Sequence, residues 1–176
     1  MAREMRVVPY DPRWPEQFAA VRDELAGIFG PLATAIHHIG STAVPGMRAK
    51  PIIDVLVVVR DMKAVDALND PMRAACYIPR GENGIPGRRY FVMLAEDSGN
   101  HLRHIHCYEP GNPHVAAELL FRDTLRADRD AFQQYERVKM EAAKRFRFSP
   151  GEYEAYKSDC VNAILNRAQQ TILRTS

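Results

Sequence analysis

The run Pro51-Ile-Ile-Asp-Val-Leu-Val-Val-Val59 constrains this chain more than any other feature. Aliphatic and β-branched residues fill it without polar alternation, the pattern of a central strand covered on both faces. One charge, Asp54, interrupts it. An ionised carboxylate is costly to desolvate in such a strand without compensation, so Asp54 is expected at the strand's open end beside a metal, a Lys or an Arg. Twelve residues separate Asp54 from Ser41 of a Gly40-Ser41 turn, which itself follows a short apolar segment, Ala35 to Ile39. A tight turn after a strand exposes backbone N–H groups, and the serine hydroxyl adds a donor, a combination suited to a phosphate oxygen. A Gly-Ser pair alone is usually only a turn. Its spacing from Asp54 makes it a candidate.

The 176 residues suit one domain, 1–176, with a continuous core and no need of staples. The net charge of +2 is modest and its Lys and Arg are dispersed, which fits a small phosphorylated or anionic ligand better than duplex nucleic acid. Cys76, Cys107 and Cys160 are odd in number and without close pairing, so they read as reduced packing residues of a cytoplasmic protein rather than a disulfide framework or zinc knuckle. The amino terminus has no apolar signal core and no segment reaches the length of a membrane span.

Trp14, Phe18, Val21, Leu25 and Ile28 recur at helical steps between Pro15 and Gly30, predicting an amphipathic first helix that covers one face of a sheet. Strands are predicted over Thr34–Ile39, Pro51–Val59, Tyr77–Pro79, Arg89–Leu94 and Arg103–Tyr108, with helical pattern from Met62 to Ala75 that Asp70-Pro71 restarts. Residues 81–89, GENGIPGRR, are rich in turn formers and read as a mobile loop. From Asn112 onward the pattern is helical: Pro113 to Ala127 behind an Asn cap, Arg129 to Phe146, and Pro150 to Leu173 behind a Ser149/Glu152 capping box. Strands first and helices last give an α+β architecture, with an N-terminal helix and a C-terminal helical bundle.

His104 and His106 stand two apart on a predicted strand, so both imidazoles face one side and can share a metal or a phosphate. The bland alternative is two half-buried rings satisfied by neighbours. His37 and His38 alternate across their strand, so at most one faces the site; His101 and His114 read as loop and helix-start residues. Cationic candidates are Lys50, Arg88, Arg89, Arg103, Arg122, Arg126 and Lys157. Arg122 and Arg126 lie one helical turn apart and are expected to clamp a phosphate or carboxylate.

The wording of several segments resembles the GrpB family (UPF0157): VVPYDPRWPEQF, HIGSTAVPGMRAKPIIDVLV, GIPGRRYF, HLRHIHCYE, LLFRDTLRAD and YEAYK occur in order along nearly the whole chain. That resemblance implies the nucleotidyltransferase fold with its mixed sheet, and enzymes of that fold carry a Gly-Gly or Gly-Ser turn and then an acidic pair with one residue between the acids. Here the same-face neighbours of Asp54 are Ile52 and Leu56, so the pair is truncated. The resemblance also singles out Lys50, Arg89, Arg122, Arg126 and Lys157, which fall inside the shared segments, and sets the His pair where a later strand of such folds supplies a further carboxylate.

The candidate catalytic residues are therefore Asp54, Lys50, His104 and His106; the ligand- and phosphate-binding candidates are Gly40, Ser41, Arg89, Arg122, Arg126 and Lys157; the metal candidates are Asp54, His104 and His106. Magnesium or manganese would accompany a nucleotide, whereas zinc, iron or manganese suits two imidazoles with one carboxylate. The leading expectation is nucleotide or phosphoester binding with metal-assisted nucleotidyl or phosphoryl transfer. A non-catalytic ligand-binding module and a mononuclear His/Asp metalloenzyme acting on a small molecule are the alternatives.

Overall fold

The structure, a computed structural model, describes residues 4–175. Helix α1 (Trp14–Phe29) has Pro15 in its first turn, where a missing N–H costs nothing, and its apolar stripe of Trp14, Val21, Leu25 and Phe29 is buried. It leads through a single 3₁₀ turn into β1 (Ala33–Ile39), and a second 3₁₀ turn, Ser41–Ala43, follows that strand. The remaining elements are β2 (Ile53–Val59), α2 (Met62–Asp66), α3 (Asn69–Ala74), β3 (Ile78–Pro79), β4 (Arg89–Leu94), β5 (His101–Tyr108), α4 (Pro113–Ala127), α5 (Arg129–Arg145) and α6 (Pro150–Thr175).

The strands form one five-stranded mixed sheet in the order β1-β2-β5-β4-β3, with β2 and β5 parallel and the other neighbours antiparallel. Alternation along β2 decides the layers. Val55, Val57 and Val59 pack against α1 with Ile105, Cys107 and Phe91, while Leu56 and Val58 face the other way with Ile39 and Tyr108, towards Val115 and Leu119 of α4. A further apolar cluster joins Leu125, Ala131, Tyr135, Cys160 and Ile164 of the three last helices to Val44 and Met47 of the loop before β2. The expected α+β layout is thus present, with the N-terminal helix on one face and the C-terminal helices on the other.

Several boundaries differ from the sequence expectation for local reasons. β2 starts at Ile53 because Lys50–Ile52 forms a tight turn, with Ile52 N donating to Lys50 O at 2.8 Å. The pattern from Met62 to Ala75 breaks at Ala67 and Leu68, and Pro71 then sits in the first turn of α3. The 81–89 segment is clamped: Arg88, 6% exposed, donates from Nε to Glu82 O at 3.1 Å and from a terminal nitrogen to Asn83 O at 2.8 Å. Cys107 and Cys160 are buried as expected of packing residues, but Cys76 is exposed at a positive φ of 65° in the turn after α3. No helix among the described residues is long and apolar enough to cross a membrane.

Candidate functional site

Parallel register sets Asp54 of β2 opposite His104 of β5, and Leu56 opposite His106. Side chains on alternate positions share a face, so Asp54, His104 and His106 stand together on the α4 side of the sheet, with Tyr90 of β4 opposite His106. They line a cleft of about 620 Å³ between the sheet and the C-terminal helices. His104 Nδ1 lies 2.9 Å from Asp54 Oδ1. One ligating atom from each of Asp54, His104 and His106 lies within 4.8 Å of the others, and among the described residues this is the one such group of three or more. Two imidazoles and a carboxylate suit a first-row transition metal better than magnesium, so the donor set fits the softer metals expected from the His pair.

Electrostatics divide the carboxyl groups of the cleft. Burial would raise the Asp54 carboxyl, but the His104 hydrogen bond, with Lys50 nearby, holds it below the usual carboxylate range. Glu118, which α4 brings to the same cleft, is pushed up to about 7 by burial and then by the charge of Asp54, against Arg88. Burial pushes His106 down to about 4 and so keeps it neutral as a ligand must be. Arg88 approaches His106 Nδ1 at 3.5 Å and lies 4.6 Å above the Tyr90 ring.

The same cleft carries three lysines. Lys50 and Lys157 both reach Glu154, at 3.0 and 2.8 Å, and both lie over the Tyr153 ring. Lys139, 2% exposed, donates to Arg48 O, and burial followed by repulsion from Lys157 pushes its ammonium down to about 7. Although burial opposes it, Tyr135 and Glu154 hold the Lys157 ammonium above its usual range. Tyr135 contacts Ser41 as well as Lys157, so it joins the Gly-Ser turn to the lysines. Gly40, Ser41, Lys50, Asp54, His104, His106 and Lys157 therefore all line one cleft.

Three expected ligand-binding arginines do not line it. Arg89 faces the opposite side of β4, where its guanidinium pairs with Asp66 of α2 at 2.5 and 2.8 Å; strand alternation gives the cleft to its neighbour Arg88 instead. Arg122 donates to His38 O at 3.1 Å, and Arg126 donates twice to Ala43 O at 2.9 and 2.7 Å. Both therefore brace the Gly-Ser turn from behind. His38 braces it too: the Thr42 hydroxyl donates to Ile52 O at 3.0 Å, so it accepts from His38 Nε2 at 3.0 Å. Sequence reasoning passed over Glu118, Lys139 and Tyr135, which come from helices at spacings that read equally well as surface or core. His101, expected in a loop, begins β5, and His114 is at the helix start as expected.

A family model described as GrpB protein matches residues 4–167. The UPF0157 protein YqkA of Bacillus subtilis is 40% identical over 169 residues, covering 96% of this chain and 48% of that protein. A protein of Mycolicibacterium paratuberculosis named dephospho-CoA kinase is 34% identical over 175 residues, covering 86% of this chain and 42% of that protein. This chain thus spans less than half the length of either relative. The crystal structure of the conserved protein GrpB from Enterococcus faecalis superposes with a TM-score of 0.83 at 32% identity, covering 92% of this chain and 98% of that one. With its family match, its relatives and its fold in agreement, this chain belongs to the GrpB family.

Proposed function

We propose that this chain, acting as a single GrpB-like domain, binds a nucleotide or another phosphorylated small molecule in the cleft and transfers a nucleotidyl or phosphoryl group with the help of a divalent metal. The observation that carries the reading is the make-up of the cleft: the carboxylate and imidazoles of Asp54, His104 and His106 share it with three lysines, Lys50, Lys139 and Lys157. A polyanion bound to a cation needs both. The Gly40-Ser41 turn followed by Asp54 on the next strand is the order that nucleotidyltransferase folds use for this purpose, and a mixed sheet carrying these parts is consistent with it. The relative named dephospho-CoA kinase fits a ligand of phosphorylated coenzyme or nucleotide type.

In this reading Ser41 and the lysines bind and orient phosphate oxygens, with Tyr135 linking them. Asp54, His104 and His106 would hold the metal, which supplies Lewis-acid stabilisation of charge on the phosphoryl oxygens. Glu118, poised near neutral pH and facing the same space, takes the proton of an acceptor hydroxyl.

A second reading is favoured by one observation: Leu56, the same-face neighbour of Asp54, is buried in an apolar cluster, so the second strand carboxylate of two-metal transfer is lacking. A mononuclear His/Asp enzyme acting on a small molecule accommodates that, and a binding module without chemistry needs no metal at all. Calorimetric titration separates the three. Pyrophosphate affinity lost in Lys157→Met, together with manganese affinity lost in Asp54→Asn, supports the proposal. Tight zinc without anion binding supports the mononuclear enzyme, and anion binding indifferent to metal supports the module.

A further inference from the structure

β5 carries a third histidine that the cleft does not use. His101 Nδ1 lies 2.7 Å from His104 Nε2, while the other nitrogen of that ring, Nδ1, lies 2.9 Å from Asp54 Oδ1. Residues three apart on a regular strand face opposite sides. Here the register steps from Met93↔Arg103 to Leu94↔His101, so Leu102 is the extra residue of a bulge, and the bulge returns the His101 ring to the side of His104. His101 lines a separate cavity of about 140 Å³ with Glu4, Arg6 and Asn100. Asp54, His104 and His101 thus form one hydrogen-bonded row from the main cleft to a second opening.

The row has a direction. An ionised carboxylate only accepts, so a neutral His104 donates from Nδ1–H to Asp54 and accepts at Nε2 from His101 Nδ1–H. A nitrogen that carries a proton cannot ligate a cation. We infer that His101 is a positioning residue for the metal site, because it lets His104 exchange tautomers and free Nδ1 for coordination. This rests on the metal reading proposed above. When a cation takes Nδ1, that proton leaves to solvent, His104 Nε2 takes a proton from His101 Nδ1, and His101 takes up one proton in exchange at Nε2. Proton count and ring charges are unchanged, and the bond between the two rings reverses direction without either ring moving. A ligating imidazole is then held by a partner that accepts its outer N–H, the arrangement that tunes metal-binding histidines generally.

The test reads the rings directly, with zinc as the probe. Nitrogen-15 correlation spectra of histidine-labelled protein at about pH 7.5, above the ordinary imidazole range, should show both His104 and His101 passing from Nδ1–H to Nε2–H forms on addition of zinc. His101→Ala should weaken zinc by about 10- to 100-fold, and His101→Asn, whose amide can donate or accept, should recover most of it. A His101 tautomer that does not move, or unchanged zinc affinity in His101→Ala, overturns the inference and leaves the metal reading standing. Zinc that fails to bind the native chain, or that survives both Asp54→Asn and His106→Ala, overturns the metal reading and this inference together.

Discussion

A methyl group on Gly40 would lie 2.7 Å from Asp54 Oδ2, closer than real side-chain carbons approach an oxygen. The backbone at Gly40 has φ 69° and ψ −172°, a region that essentially only glycine adopts. The turn therefore touches the carboxylate, and both the fold and the site depend on that contact. Gly40→Ala is expected to lower stability by on the order of 1–3 kcal/mol in denaturant unfolding. It should also abolish metal binding by displacing the Asp54 carboxylate. A variant with native stability and native metal affinity would contradict this geometry.

Two buried imidazoles make the fold acid-sensitive. Burial pushes His38 and His106 down to about 4 from an ordinary value of 6.5. The unfolded chain then binds more protons than the folded one between those values, so their stability contribution is full above pH 6.5 and is lost as pH falls towards 4. Melting temperatures measured across this window should fall with acid. His106→Gln should flatten the fall, and an unchanged slope in that variant would show that the ring titrates normally.

Lys139 is expected to couple anion binding to protons. Its ammonium, pushed down to about 7, is only partly charged near neutrality. An anion arriving beside Lys50 and Lys157 raises that value, so binding takes up protons, and affinity should fall as pH rises from about 7 to about 9. Sulfate, which does not itself titrate there, is the probe, and calorimetry in buffers of different ionisation enthalpy counts the protons. Lys139→Met should bind sulfate without uptake. Uptake that persists in that variant would assign it to another group.

The two arginines of α4 act on the backbone. Arg126→Ala removes two charged hydrogen bonds to Ala43 O from a side chain that is 41% exposed, so a loss of about 1–2 kcal/mol in denaturant unfolding is expected. Lysine should not restore it, because one ammonium cannot reproduce the paired guanidinium contact. Lost sulfate affinity at native stability would return Arg126 to the role of ligand clamp.

Much of this architecture was legible in the sequence because the strongest signals were local. Pro15 and Gly30 bracket α1, Asn112 caps α4 by accepting from His114 N at 3.0 Å, and Asp54 stands out as the one charge in an apolar strand. His-x-His spacing placed two imidazoles on one face, and the parallel register then brought them to Asp54. What escaped depended on tertiary contacts. The choice between Arg88 and Arg89 turns on where β4 begins its alternation, and the turn-rich segment before it is fixed by carbonyls of Glu82 and Asn83 that no pattern reveals. The bulge that brings His101 to His104 adds one residue to β5 and leaves no mark in the sequence. Glu118, Lys139 and Tyr135 meet the site only because α4 and α5 fold back over the sheet.

The most direct measurement is a crystal structure of the chain grown with manganese and a non-hydrolysable nucleoside triphosphate, with the metal located by anomalous scattering. The expected result is a manganese peak bonded to Asp54, His104 and His106, with phosphate density running from it to Ser41 and Lys157. Manganese away from these three residues, or a nucleotide whose phosphates lie outside the cleft against Arg89, Arg122 or Arg126, would contradict the proposal.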